Sequence, residues 1–199
     1  MKKKFFKHGF TLAEVLITLG IIGVVAAMTI PSLMLNMRHK TTTARLKKFY
    51  SNMKQALLLS EDEHGGVSSW DTSLPYSKFF DTYFLPYLKG TKEGTNGNTI
   101  YFSDGTSLRI VKGRCMDMAY DVNGKTQPNK YGYDQFVFLA CDSSISEWCA
   151  EEGFCSYRYS ATDKTDRATL LNYCKKEARF CSALLEHDHW EFLPDYPYK

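Results

Sequence analysis

The sequence predicts an α+β fold: one long amino-terminal helix, membrane-spanning in its first half and amphipathic in its second, packed on a small antiparallel sheet of about four strands. Three observations predict it. Between Val15 and Met37 there is no Asp, Glu, Lys or Arg. Apolar residues then recur at spacings of three and four as far as Leu57. Beyond Val67, short β-rich runs alternate with Gly, Asp and Asn turns, and no second membrane-length apolar run occurs.

The first run comes to 23 residues, a helix of about 34 Å at ~1.5 Å per residue, enough to cross a ~30 Å hydrocarbon core. Glu14 stands at its head, where an unpaired charge in lipid costs about 2.5–3.5 kcal/mol. Pro31 lies inside it and predicts a kink or a local loosening. After Arg38-His39-Lys40, the residues Leu46, Phe49, Tyr50, Met53 and Leu57 form one stripe, with Lys47, Lys48 and Lys54 turned elsewhere. Gly65-Gly66 ends a helix of roughly 50 residues. Its one-faced second half needs a domain to lie against.

In that domain, Ser77 to Tyr83 reads as a short helix before Pro86. Thr99–Ser103 and Thr106–Val111 flank Asp104-Gly105, the signal of a two-residue hairpin. Cys115–Val122 and Gln135–Cys141 supply two further strands, and a later helix covers Asp166 to Leu185. The aromatics set between prolines from Trp190 to Tyr198 read as a final edge strand.

Charge excludes some functions. The 25 Lys+Arg and 22 Asp+Glu give +3. Four lysines (Lys2, Lys3, Lys4, Lys7) lie in the first nine residues, so a chain without them carries 21 − 22 = −1. That balance does not indicate nucleic-acid binding. Five basic residues after the apolar run offset the four before it, so charge alone does not orient the span. The six cysteines, Cys115, Cys141, Cys149, Cys155, Cys174 and Cys181, all fall in the second half. They suggest an exported domain with up to three disulfides. Cys149 and Cys155 suit a small loop around Gly153. Cys174 and Cys181 would stand about 10 Å apart in an unbroken helix, so either the helix breaks or each pairs elsewhere. Fifteen pairings are open.

The amino terminus carries a specific pattern. Lys2-Lys3-Lys4-Phe5-Phe6-Lys7-His8-Gly9, then Phe10-Thr11-Leu12-Ala13-Glu14, resembles the leader and processing site of type IV prepilins and type II secretion pseudopilins, as does the stretch from Val15 to Pro31. The resemblance implies cleavage after Gly9 by a prepilin peptidase on the cytoplasmic side and N-methylation of Phe10. It implies assembly through Phe10, Glu14 and Pro31, with Glu14 meeting the terminal amine of a neighbouring subunit. It divides the chain into a leader (1–9), a transmembrane and assembly helix (10–37), an amphipathic continuation (38–66) and a pilin-like head (67–199).

The implied role is a structural subunit, a major or minor pilin, of a type IV pilus-like filament. The partners are other pilin subunits, the prepilin peptidase, an inner-membrane assembly platform and the lipid bilayer. The implied place is the bacterial inner membrane, single-pass, amino terminus cytoplasmic and head periplasmic or extracellular, and later a filament at the cell surface. Three other readings stand beside it. One is a pseudopilin of type II secretion. Another is a soluble binding domain released by signal peptidase after Ala27, though Glu14 within the apolar region and the helical pattern across that cut oppose it. The last is a membrane-tethered enzyme.

For an enzyme no residues present themselves: there is no phosphate loop, nucleophile elbow, His-Glu-x-x-His or haem-attachment motif. No Cys-x-x-Cys spacing supports zinc, and a solvated helix end accounts for His187 and His189. Calcium is the one cofactor entertained, with Asp121, Asn123, Asn129 and Asp134 as candidate ligands in an oxygen-rich loop. That loop departs from an EF-hand at Lys125 and Gly132, and its plainer reading is a turn held by Asp and Asn side chains bonding to backbone.

Overall fold

The computed structural model describes residues 9–92, 97–113, 115–141, 148–149, 153–158 and 166–198. The leader residues before Gly9 lie outside that set. The chain divides into two units, one ending at Lys40 and one comprising Thr41–Lys199.

Helix α1 is Leu12–His64, and Pro31 lies inside it without interrupting it. It stops where the sequence demands: Gly65 takes φ +78°, and its N–H donates to the Glu61 carbonyl at 2.9 Å. In the second unit its buried residues are Thr42, Leu46, Phe49, Met53, Ala56, Leu57 and Ser60, a stripe of three- and four-residue steps.

That stripe packs on an antiparallel sheet of six strands: β1 (Gly90–Lys92), β2 (Thr99–Phe102), β3 (Ser107–Val111), β4 (Cys115–Asp121), β5 (Gln135–Cys141) and β6 (Phe154–Ser156). Each strand pairs with the next in the chain. The expected count of about four is thus corrected to six. The two extra strands are the edges, of three residues each, too short for alternation to register. The longest pairing in the sheet is β4 with β5, from Cys115↔Cys141 to Asp121↔Gln135. Met116, Met118 and Tyr120 of β4 join Phe136, Phe138 and Ala140 of β5 on the core face. There Phe49 stacks on Tyr120 with centroids 3.9 Å apart and meets Phe138 at 5.1 Å. Thr43 Oγ1 donates to the Trp190 carbonyl at 2.6 Å, Tyr50 donates to Glu186 at 2.7 Å, and Lys48 pairs with Asp104 at 2.8 Å.

The β2–β3 turn differs from the two-residue expectation. Phe102 N–H donates to the Thr106 carbonyl and Gly105 N–H to the Phe102 carbonyl, which leaves a three-residue loop, Ser103-Asp104-Gly105. Gly105, at φ +82°, is the left-handed residue such a loop requires. The loop presses on the segment after β4, where a Cβ on Gly124 would come within 2.5 Å of the Gly105 carbonyl oxygen.

Helix α2 (Tyr76–Tyr83) buries Phe79, Phe80 and Tyr83, with Trp70 stacked on Tyr83 at 4.5 Å. The single helix expected over Asp166–Leu185 is two: α3 (Arg167–Lys176) and α4 (Cys181–His187), separated by extended Glu177 and a 3₁₀ turn at Ala178–Phe180. Asp166 caps α3, accepting from Ala168 N–H and Thr169 N–H. The expected edge strand at the carboxyl end is absent among the described residues. Pro194 and Pro197 remove donors that a ladder needs, and the segment is fastened instead by side chains: Tyr196 donates to the Gly132 carbonyl (2.6 Å) and Tyr198 to the Cys174 carbonyl (3.2 Å).

Arg167 grips both ends of this region. Its guanidinium donates to both oxygens of Asp188 and both of Asp195, at 2.7–2.9 Å. The Arg167 bonds hold the Asp195 carboxyl below its ordinary range, and the Thr169 hydroxyl does the same to Asp166. A depressed carboxyl contributes stability that is complete above the unfolded carboxylate range and lost as pH falls through the folded value. Asp117 and Asp121 act in the opposite sense, because burial raises both; they protonate first on acidification and relieve strain. Melting temperature followed by near-ultraviolet circular dichroism is therefore expected to hold or rise slightly on mild acidification, then fall at lower pH. In Asp195→Asn that final fall should be smaller; an unchanged acid limb would refute the clamp.

Candidate functional site

Helix α1 begins with a reciprocal cap. Thr11 N–H and Thr11 Oγ1 both donate to Glu14 Oε2 at 2.8 Å, and Glu14 N–H donates to Thr11 Oγ1 at 3.2 Å. Thr-x-x-Glu is the spacing of a capping box, which satisfies amide donors that the first helical turn leaves open. The spacing was available in the sequence, and it gives Thr11 a role that the processing pattern alone does not assign. Gly9 and Phe10 precede the box, outside the helix, and Phe10 is 89% exposed. The peptide bond between them is free of helical hydrogen bonding.

Behind the box the apolar wall is bare. In the most apolar 18-residue window no residue is buried, and Leu16, Ile17, Ile21, Ile22 and Met28 are each at least 60% exposed. A patch of this size is unstable in water and marks a membrane or protein-packing surface. The hydroxyls inside it are satisfied locally: Thr18 donates to the Val15 carbonyl and Thr29 to the Val25 carbonyl, both at 2.9 Å. Such back-bonding is what lipid requires of a polar group on a spanning helix. This helix anchors the chain in a membrane.

All six cysteines are bonded: Cys115–Cys141, Cys149–Cys155 and Cys174–Cys181. No free thiol remains to hold zinc. The break at Glu177 brings Cys174 and Cys181 to a Cα separation of 4.5 Å, against about 10 Å along an unbroken helix. His187 Nδ1 lies 3.3 Å from Asp188, and His189 sits in a tight left-handed turn at φ +55°.

The structure brings Asp121, Asn123, Asn129 and Asp134 together in the segment after β4. Asp121 accepts from Asn123 N–H (3.0 Å) and Gln135 Nε2 (2.9 Å). Asp134 accepts from Asn129 N–H (2.9 Å), Lys130 N–H (2.5 Å) and Asn123 Nδ2 (3.3 Å). With its amide nitrogen turned inward, Asn129 donates to Asp121 Oδ2 and the Thr126 and Gly124 carbonyls at 2.9–3.1 Å. One acceptor is left over: Asn123 Oδ1 is buried and receives no hydrogen bond. Among the described residues no group of three or more His, Cys, Asp or Glu is placed to hold a metal, so a cation here would depend on amide and carbonyl oxygens as well.

A family model described as a prokaryotic N-terminal methylation motif matches residues 5–30, which include the cap and most of the apolar run. A second model, described as a family of unknown function (DUF6613), matches residues 32–199. Searches of curated proteins and of solved structures found no match. By its methylation motif, its apolar helix and its α+β head, the chain is a pilin-like protein of the type IV pilin and pseudopilin class, and by residues 32–199 it belongs to the family of unknown function DUF6613.

Proposed function

We propose that the chain is a structural subunit of a type IV pilus-like filament, cut after Gly9 by a prepilin peptidase and N-methylated at Phe10. The observation that carries the reading is the capping box immediately behind an exposed Gly9–Phe10 bond, at the head of a bare apolar helix. The leader (1–9) holds the amino terminus on the cytoplasmic face. Residues 10–37 span the inner membrane, residues 38–66 continue the helix, and residues 67–199 form the head on the far side, where disulfides form. Bilayer and filament core are both apolar, so the helix passes from one to the other without meeting water.

Cleavage creates a cationic amine at Phe10, and Glu14 of a neighbouring subunit supplies its counter-charge. In a low-dielectric bundle that pair is attractive, and either member alone is costly. The pair thereby sets register along the filament. Mass spectrometry of the exported protein tests the proposal: N-methyl-Phe10 is the expected terminus, and a terminus at Met28 or an intact Met1 would overturn it.

The oxygen-rich loop supports a second, smaller element of the proposal, a calcium ion. What supports it is a pair of buried carboxylates, Asp121 and Asp134, beside Asn123 Oδ1, a buried acceptor without a donor. Burial pushes the Asp121 carboxyl up, and the neighbouring Asp134 adds to the rise. A divalent cation would favour both charged forms and tie the segment after β4 to the start of β5. Calorimetric titration of the detergent-solubilised full chain is expected to show saturable heat at millimolar calcium or below, abolished in Asp134→Asn. No heat in that range would dispose of the ion and leave a turn held by its own side chains.

A further inference from the structure

We propose that the cavity on the outer face of the sheet, beneath the Ala178–Phe180 turn, binds a pyranose ring of a glycan. The cavity measures about 860 Å³, within the ~300–1,000 Å³ usual for small-molecule sites. It lies on the face of β4 and β5 opposite α1, over the cross-strand pair Asp117↔Leu139. Its walls are the rings of Trp148, Tyr157 and Phe180. Tyr157 and Phe180 support each other at 5.2 Å, and the Arg179 guanidinium lies over the Tyr157 ring at 5.1 Å. Trp148 is 39% exposed, whereas Trp70 and Trp190 are buried in the core.

The polar groups of the cavity are unspent in complementary ways. Asp117 is half-buried, and its carboxylate makes no hydrogen bond or ion pair with any described residue. Arg158 has a side chain only 5% exposed. It donates through Nε to the Ser156 carbonyl and through Nη2 to Glu186, and its buried Nη1 has no partner among the described residues. A buried donor left unpaired costs about 1–3 kcal/mol, more when charged. The cavity therefore offers a free acceptor and a flat apolar ring, with the Arg158 side chain in its wall.

Charge selects among ligands. Asp117, Glu177 and Glu186 oppose Arg158, Arg179 and Arg109 around it, three against three, so an ammonium ion would meet guanidinium repulsion and an organic anion would meet carboxylate repulsion. A neutral ligand avoids both. A pyranose carries neighbouring hydroxyls that each donate and accept, beside a face of C–H bonds that lies flat on an aromatic ring. It uses every feature of the cavity at once, and unlike an extended polyol it arrives with its shape already set.

The test uses the full chain in a detergent without a sugar headgroup. Tryptophan emission is titrated with methyl β-galactopyranoside and with N-acetylglucosamine, with acyclic sorbitol and choline as controls. The expected result is a saturable change with at least one pyranose, with an affinity of about millimolar. The change should vanish in Trp148→Phe, which removes the reporter, and need about tenfold more sugar in Asp117→Asn, with near-ultraviolet circular dichroism unchanged. Saturation-transfer NMR of the sugar, independent of any variant, should mark its C–H face. No saturation with either pyranose would overturn the proposal. So would an equal response to sorbitol, a response to choline alone, a signal that survives Trp148→Phe, or wild-type binding by Asp117→Asn.

Discussion

For the proposed pilus subunit, Glu14→Val is expected to leave the chain in the membrane and to remove it from the filament. Valine at this position lowers the cost of insertion, because an acidic side chain in the apolar region opposes partition by a few kcal/mol and valine favours it slightly. The cap loses its carboxylate and with it two hydrogen bonds from Thr11, worth about 1 kcal/mol at a helix start. In a helix of 53 residues that frays one turn and unfolds nothing. Assembly is different. Each terminal amine buried in the bundle would lack its counter-ion, and breaking a buried pair by removing one partner costs about 3–5 kcal/mol. Repeated at every subunit, that is enough to stop growth. Membrane fractions should contain wild-type amounts of the variant while sheared surface fractions contain almost none. Fibre at wild-type levels would contradict the pairing, and loss from both fractions would point to failed insertion instead.

Phe49→Ala carries the largest expected loss of head stability, about 3–5 kcal/mol. Phe49 is 6% exposed and touches Tyr120, Phe138 and Phe154, so truncation opens a void where α1 meets the middle of the sheet. Those rings are themselves packed at the domain centre and have little room to close the gap. For a head of this size each kcal/mol moves the melting temperature by about 2–4 °C, so a fall of roughly 10 °C is expected. Leu58→Ala, nine residues along the same helix but 68% exposed, should change stability by no more than about 0.5 kcal/mol. Near-ultraviolet circular dichroism melts of the two variants compare them directly, and similar melting temperatures would mean that the helix stripe is not what holds the head together.

The contrast between Phe49 and Leu58 shows why α1 was legible in the sequence: a long helix repeats its period often enough for the buried face to stand out. The centre of the sheet was legible for a similar reason, since Met116, Met118 and Tyr120 alternate with Asp117 and Ala119. Its edges were not. Gly90-Thr91-Lys92 carries no large apolar residue, and Phe154-Cys155-Ser156 is buried on both faces, so neither offers a pattern. The break at Glu177 has no Gly or Pro to announce it; only the spacing of Cys174 and Cys181 made it one of two outcomes. At the carboxyl end the aromatic content points to a strand, but Pro194 and Pro197 remove the donors that a ladder needs. At the amino terminus the Thr11–Glu14 cap is legible because local chemistry fixes its spacing. The outer cavity draws Asp117, Trp148, Tyr157 and Arg158 from separate stretches of chain that only folding brings together.

The three bridges join the six cysteines as consecutive pairs in chain order, at separations of 26, 6 and 7 residues. Strand pairing obeys the same adjacency. In a head exported from its amino-terminal anchor, as proposed, each pair of thiols would be complete before the next emerged, and an oxidant that couples consecutive thiols would reach the native set without reshuffling.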